Sequence, residues 1–288
     1  MLPQQITTPH EAERKTMSRK NLTASLLFLI FFVSAGSAGE PKRVLLLAGK
    51  GSHGYGAHEH RAGVRVLAKC LQGVPGLETS IHCDVDVDWP DGPKLIGAAD
   101  GIVMFMDCGM RWEQTDPQRQ AALEEFMARG GGVVGLHWAI GGREDRDIPF
   151  HLKFMGGCHG GSDRKYTHAE VELDVADRQH PILSGIEKFR INDEFYYQLK
   201  WAKQGKVAPL LTATIKDCPD QAAAWAFERP DGGRSFGFVC MHAHKNWELV
   251  ECRRLAAQAT LWTVKLPVPK EGLPVKVSEE DLQLPPKK

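Results

Sequence analysis

An α/β fold built on a parallel sheet is what this sequence of 288 residues predicts. Short uncharged runs at Val44–Ala48, Gly101–Met106 and Gly132–Leu136 read as strands buried on both faces. Between them lie amphipathic, capped segments at the spacing of right-handed βαβ units. Each run also ends on a loop that carries chemistry: three histidines after the first, Asp107 after the second and His137 after the third. In open α/β sheets that carboxyl edge is where ligands bind. A composition of 42% hydrophobic and 25% charged residues suits one large globular domain. Lys plus Arg and Asp plus Glu balance at 36 each, which leaves no electrostatic footprint for nucleic acid and argues against a polyanionic substrate.

The chain begins with Arg14, Lys15, Arg19 and Lys20, an apolar Leu22–Val33 core, and Ser34-Ala35-Gly36-Ser37-Ala38. A basic head, an apolar core too short to span a bilayer comfortably and a small-residue end make residues 1–38 a secretory signal, with Met17 an alternative start. The mature chain is therefore expected to be exported, periplasmic or extracellular, with no stable membrane insertion after cleavage. No C-x-x-C occurs among the seven cysteines, so a thiolate zinc or thioredoxin-like centre is not expected, and disulfide pairing stays open.

The first strand runs into Gly49-Lys50-Gly51-Ser52-His53-Gly54, followed by Gly56, His58 and His60. These glycines satisfy G-x-G-x-x-G, but the prolonged loop and the lack of an acidic strand end about 20 residues on weaken a dinucleotide reading. No nucleotide cofactor is expected. A helix to Leu71 follows, then a strand over Leu77–Cys83, a short helix over Pro90–Ala98 and the Gly101 strand. Asp116-Pro117 opens a capped helix through Met127 that Gly130 ends. His137 closes the central strand, Gly130-Gly131-Gly132-Val133-Val134-Gly135-Leu136.

Residues 138–165, punctuated by glycine pairs around an apolar Ile148–Met155 segment, read as a lid or pocket wall carrying His151 and His159. Beyond it the pattern alternates with period two. Strands are expected from Ala169 to Val175, Phe189 to Tyr197 and Val207 to Ile215, with a hairpin of Ala222–Phe227 and Arg234–Cys240 across Pro230-Asp231-Gly232-Gly233. The hairpin leads into His242-Ala243-His244-Lys245-Asn246-Trp247, and a helix to Val264 closes the domain of residues 39–265. Residues 266–288, with five prolines, read as an extended tail.

Five stretches in order resemble the ThuA-like, trehalose-utilisation family. They are Gly130–His137, Gly156-Gly157-Cys158-His159, His180-Pro181-Ile182, Asp193-Glu194-Phe195-Tyr196, and Ala224-Trp225 with Gly233–Gly237 leading to His242. The likeness runs from Lys42 to Val264. It implies a flavodoxin-like, doubly wound fold similar to class I glutamine amidotransferases, with a mostly parallel sheet and a β-rich second half. It also implies trehalose-type disaccharides or their 3-keto derivatives as substrates. Where the amidotransferases carry cysteine after the central strand, this chain has His137, and imidazole is a poor replacement for a thiolate in amide hydrolysis. Met241 stands where many relatives have glycine.

Histidines at strand ends with a nearby carboxylate suit either a divalent metal such as zinc, with His53, His137 and His242 as candidate ligands, or metal-free proton transfer. His137, Glu194 and His242 are the expected catalytic groups. Adjacent Asp193 and Glu194 face opposite sides of a strand, so only one can work at the site, and Glu194 is the choice. His53, Asp107, Trp112, Trp138, His159, Tyr196, His244 and Trp247 are expected to bind a small-molecule sugar, the aromatics by stacking. The leading reading is a sugar-modifying isomerase, lyase or hydrolase. The alternatives are a non-catalytic carbohydrate-binding domain and a nicotinamide-dependent oxidoreductase.

Overall fold

A computed structural model describes residues 39–286; the expected signal, residues 1–38, lies outside the described residues. The first half runs β1 (Lys42–Ala48), α1 (His60–Leu71), β2 (Leu77–Cys83), α2 (Gly92–Ala98), β3 (Gly101–Phe105), α3 (Gly109–Gln114), α4 (Pro117–Ala128) and β4 (Gly132–Leu136). An excursion follows with β5 (Gly141–Gly142), α5 (Ile148–Met155) and β6 (Gly157–Gly160). The second half comprises β7 (Lys165–Val175), β8 (Phe189–Tyr197), β9 (Lys200–Trp201), β10 (Lys206–Ile215), β11 (Cys218–Glu228), β12 (Arg234–Phe238), α6 (Val250–Thr263) and α7 (Glu279–Leu282).

Nine strands form one sheet in the order β2-β1-β3-β4-β12-β11-β10-β7-β8. The first five pair in parallel, in the 2-1-3-4 order of flavodoxin-like, doubly wound folds. From β12 outward every pairing is antiparallel, which is the β-rich half expected from the period-two pattern. The uncharged strands are uncharged because both their faces are covered. On β4, a Cβ at Gly132 would lie 2.5 Å from the backbone of Thr263 in α6, and one at Gly135, three residues on and facing the other way, 2.8 Å from Met155 of α5. Glycine at these two positions lets a helix approach the central strand closely on each face.

Local signals act as their chemistry requires. The Asp116 side chain accepts the N–H groups of Gln118 and Arg119 at the start of α4, satisfying two orphan donors. The β11–β12 hairpin forms across Pro230–Gly233. The buried Arg229 guanidinium bridges it to the carbonyl of Gly131 at 2.6 Å. The 138–165 excursion is packed: β5 pairs with β6, and Phe154, Met155 and Cys158 are fully buried. All seven cysteines are free thiols, four of them buried fillers. No described helix is long and apolar enough to cross a membrane.

The tail is extended but docked. Leu273 and Val275 are buried, the Gln258 side chain accepts the N–H of Leu273 at 2.7 Å, and α7 opens with a Ser278–Asp281 capping box. Proline-rich composition conceals this because the tail's own apolar residues, Leu266, Val268, Leu273, Val275 and Val277, are the ones that pack against the core.

Candidate functional site

Four loops meet at the carboxyl edge of the parallel strands, after β1, β3, β4 and β12. The loop after β1 is pinned to the loop after β12 by backbone: Ala57 bridges Ala243, His58 N–H donates to the His242 carbonyl at 2.9 Å, and His244 N–H to that of Gly56 at 2.8 Å. Strand β8, last in the sheet order, returns over this edge. Its Asp193 carboxylate accepts Met241 N–H at 2.5 Å, Ala243 N–H at 3.0 Å and Glu194 N–H at 3.0 Å. Asp193 thus holds the backbone on either side of His242, while Glu194 presents its side chain to the other face, as strand alternation requires.

The site is a knot of imidazoles. His58 Nε2 lies 2.9 Å from His242 Nδ1 and 3.1 Å from His137 Nε2, and His242 Nδ1 lies 3.3 Å from His137 Nε2. Glu194 Oε2 is 3.4 Å from His137 Nε2 and 3.6 Å from His242 Nδ1. The Tyr196 hydroxyl contacts His137 Nε2 at 3.0 Å. On the far side of each ring, His58 Nδ1 bonds Asp107, which also accepts the Ser52 hydroxyl, and His137 Nδ1 donates to the carbonyl of Val239 at 2.8 Å.

Backbone strain concentrates here. His58 and His137 both have φ of 51°, Cys108, next to Asp107, has 52°, and Met241, next to His242, has 90°. Left-handed backbone at non-glycine residues costs about 1–3 kcal/mol each and persists where the surroundings over-determine it. At Met241 the two-point grip of Asp193 supplies that constraint.

Electrostatics follow burial. Desolvation lowers the pKa of His58 against the opposing pull of Asp107, and lowers His242 further through His137 and His58. Burial works against ionised Glu194, but the contact with His137 and the nearness of His242 and His168 outweigh it and bring the carboxyl below its ordinary range. The same contest at Asp107 is won by His58, Ser52 and His60. Tyr196, fully buried beside Glu194, is raised well above the usual phenol range.

The structure therefore brings together His137, Glu194, His242, Asp107 and Tyr196, with Trp138 as a half-buried wall 6.1 Å from His58. His159 stacks on Tyr196 at 3.8 Å between ring centroids, one layer behind. His53 is exposed and stacks on His58 at 3.6 Å. Three expected sugar contacts lie elsewhere. Trp112 is a core residue whose indole donates to the Val85 carbonyl and stacks on Trp89. Trp247 is fully buried against Phe105. His244 turns away because the chain enters a 3-10 turn there, and its Nε2 meets the carbonyl of Leu282 in the tail.

Two residues were missed by the sequence reading. His58, at the centre of the knot, was not singled out from its neighbours His53 and His60. His168 was not considered, although it pairs across the strands with Glu194 and sets Nε2 3.4 Å from Glu194 Oε1. A period-two reading of β7 against β8 carries that signal.

Comparison with known proteins agrees with this fold. Residues 43–263 match the family model for ThuA, trehalose utilisation. A ThuA-like protein of Bacteroides uniformis superposes with a TM-score of 0.61 at 21% identity, covering 80% of this chain and 94% of that one. One of Parabacteroides merdae gives 0.61 at 15% identity, covering 85% and 100%. The cytoplasmic protein STM1381 of Salmonella typhimurium LT2 gives 0.55 at 13%, covering 77% and 99%. No curated protein matches. Because the family model spans both the parallel strands and the returning β8 that together build the knot, the chain belongs to the ThuA, trehalose-utilisation, family.

Proposed function

We propose that this chain is an exported enzyme that modifies a trehalose-type disaccharide or a 3-keto-glycoside by general acid–base chemistry, with His137, Glu194 and His242 as the catalytic groups. The observation that carries the reading is the carboxylate of Glu194, set within 3.4 Å of one imidazole and 3.6 Å of the other, with the Tyr196 phenol on the first. An imidazole in that position takes a proton from a sugar carbon next to a ketone, the Tyr196 phenol gives one to the ketone oxygen, and the ionised Glu194 carboxylate stabilises the imidazolium so formed. The exposed Tyr166 ring, edge-on to His159 at 6.4 Å, and the half-buried Trp138 supply faces on which a sugar stacks. His53 and His168 flank His242 at 5.4 and 5.2 Å and offer hydrogen bonds at the rim.

The oxidoreductase alternative has less support. In the Gly49 loop the N–H of Lys50, one that a pyrophosphate needs, is taken by the Asp86 carboxylate at 2.8 Å, and Asp107 adds a second negative charge beside the loop. A non-catalytic binding domain remains the second reading and shares the same rim.

The test is turnover of trehalose and its 3-keto derivatives by purified chain beginning at Gly39. Glu194→Gln is expected to lower kcat by about 100-fold or more, the range for loss of a positioned acid or base, with KM little changed. Saturable binding without product in the wild type refutes the enzyme and supports the binding domain. Turnover that requires a nicotinamide and changes its absorbance supports the oxidoreductase.

A further inference from the structure

Inside the knot, the hydrogen bonds behind the rings decide what the front atoms can be. Asp107 and the Val239 carbonyl are acceptors, so His58 Nδ1 and His137 Nδ1 carry the protons. In the neutral rings the opposite nitrogens are then lone pairs, and these point at each other across 3.1 Å. Tyr196 O–H can cover one lone pair and a proton on His242 Nδ1 the other, yet the two still face each other with a carboxylate oxygen alongside. A backing acceptor that fixes the tautomer and turns the second nitrogen inward is the recurring support of metal-bound histidine.

The geometry points to a mononuclear divalent metal centre of the zinc class, held by His58 Nε2, His137 Nε2, His242 Nδ1 and a Glu194 carboxylate oxygen. These four donors lie within 4.8 Å of one another, and five of their six separations run from 2.9 to 3.6 Å. A tetrahedral ion with ligands at about 2.05 Å sets donor–donor edges of about 3.3 Å, in the middle of that range. Three imidazoles and one carboxylate suit zinc and its first-row neighbours, not magnesium or calcium. His53, a ligand expected from sequence, lies over the face of His58 and groups with His58 and Asp107. An ion so held would polarise a sugar carbonyl or hydroxyl only by taking it as a fifth ligand, and His137, His242 and Glu194 would then serve as its ligands in place of free acid–base groups.

This deepens the site described above without depending on its substrate. Chain beginning at Gly39, stripped with a chelator, is titrated with Zn²⁺ against a chromophoric competitor and with Co²⁺ by visible absorption. One equivalent is expected to bind, with submicromolar Kd for Zn²⁺ and the intense d–d bands of tetrahedral Co²⁺. His58→Ala is expected to weaken Zn²⁺ binding by at least 100-fold. Asp107→Asn, which leaves all four donors in place, is expected to weaken it by about 10–100-fold, as for other outer-shell partners. His82→Ala, on the remote strand β2, is expected to bind as the wild type does. The inference is overturned if the folded wild type takes up no stoichiometric metal, or if His58→Ala and Asp107→Asn both bind as the wild type does. Metal binding without sugar turnover refutes the substrate assignment and leaves the centre standing. Turnover by protein that takes up no stoichiometric metal does the reverse.

Discussion

Asp193→Asn tests how the site is held together, because this carboxylate touches none of the reacting groups yet fixes the chain on both sides of His242. Its Oδ2 accepts one N–H, from Met241, and its Oδ1 accepts two, from Ala243 and Glu194. An asparagine keeps one oxygen, which serves the pair best if its NH₂ faces Met241. One charge-assisted bond is then lost and a buried N–H is set against a donor, costing about 1.5–3 kcal/mol, while the other two bonds fall toward neutral strength, about 0.5–1 kcal/mol each. Opposing this, burial pushes the carboxyl of Asp193 above its usual range, and the amide escapes that desolvation. A net loss of about 2 kcal/mol in urea denaturation is expected. The strained Met241, at φ 90°, relaxes and carries His242 out of register, so Zn²⁺ affinity falls by about 10-fold or more. Stability within about 0.5 kcal/mol of wild type together with unchanged Zn²⁺ affinity refutes the positioning role.

Two further expectations follow from the same geometry. Burial lowers the pKa of His159 to about 3 from an unfolded 6.5, so its contribution to stability is complete above pH 6.5 and is lost as pH falls toward 3, by at most ~5 kcal/mol. His159→Phe keeps the stack on Tyr196 without that titration, and its acid unfolding midpoint should lie below that of the wild type; coincident curves refute the assignment. Trp247→Phe shrinks a core side chain whose indole N–H finds no acceptor and should cost about 1–3 kcal/mol in denaturation while leaving disaccharide KM unchanged, whereas a raised KM at full stability restores its place in the sugar site.

The convergence of His137 and His242, separated by 105 residues, was legible because both follow short apolar strands and parallel strands deliver their carboxyl ends to one rim. Strand alternation made legible that only one of Asp193 and Glu194 could face the site, and left the choice between them open. What periodicity could not rank was the loop after β1, where His53, His58 and His60 share one glycine-rich stretch. The choice among them is made by the Ala57–Ala243 bridge, a contact between distant loops. His60 is buried next to Phe105 with its pKa lowered to about 3, a core histidine. The misplaced Trp247 and His244 have a different cause: their side-chain directions depend on a 3-10 turn and on a docked tail, and neither leaves a periodic trace.

The turn at His137 shows how one backbone device serves different chemistry. A strand that ends in a left-handed residue and a tight helical turn projects its side chain above the sheet edge, as nucleophile elbows do. At His137 φ is 51°, and the Val239 carbonyl takes the proton-bearing Nδ1 and leaves Nε2 as the projecting atom. An imidazole so fixed gains nothing as a nucleophile from its neighbours, because His58, His242 and Glu194 compete for the same lone pair. On the metal reading proposed above they make it one corner of a shared cation site. The strained turn aims Nε2 at His58, His242 and Glu194, and His137→Cys is expected to show no glutamine hydrolysis, since those three groups would still face the thiol.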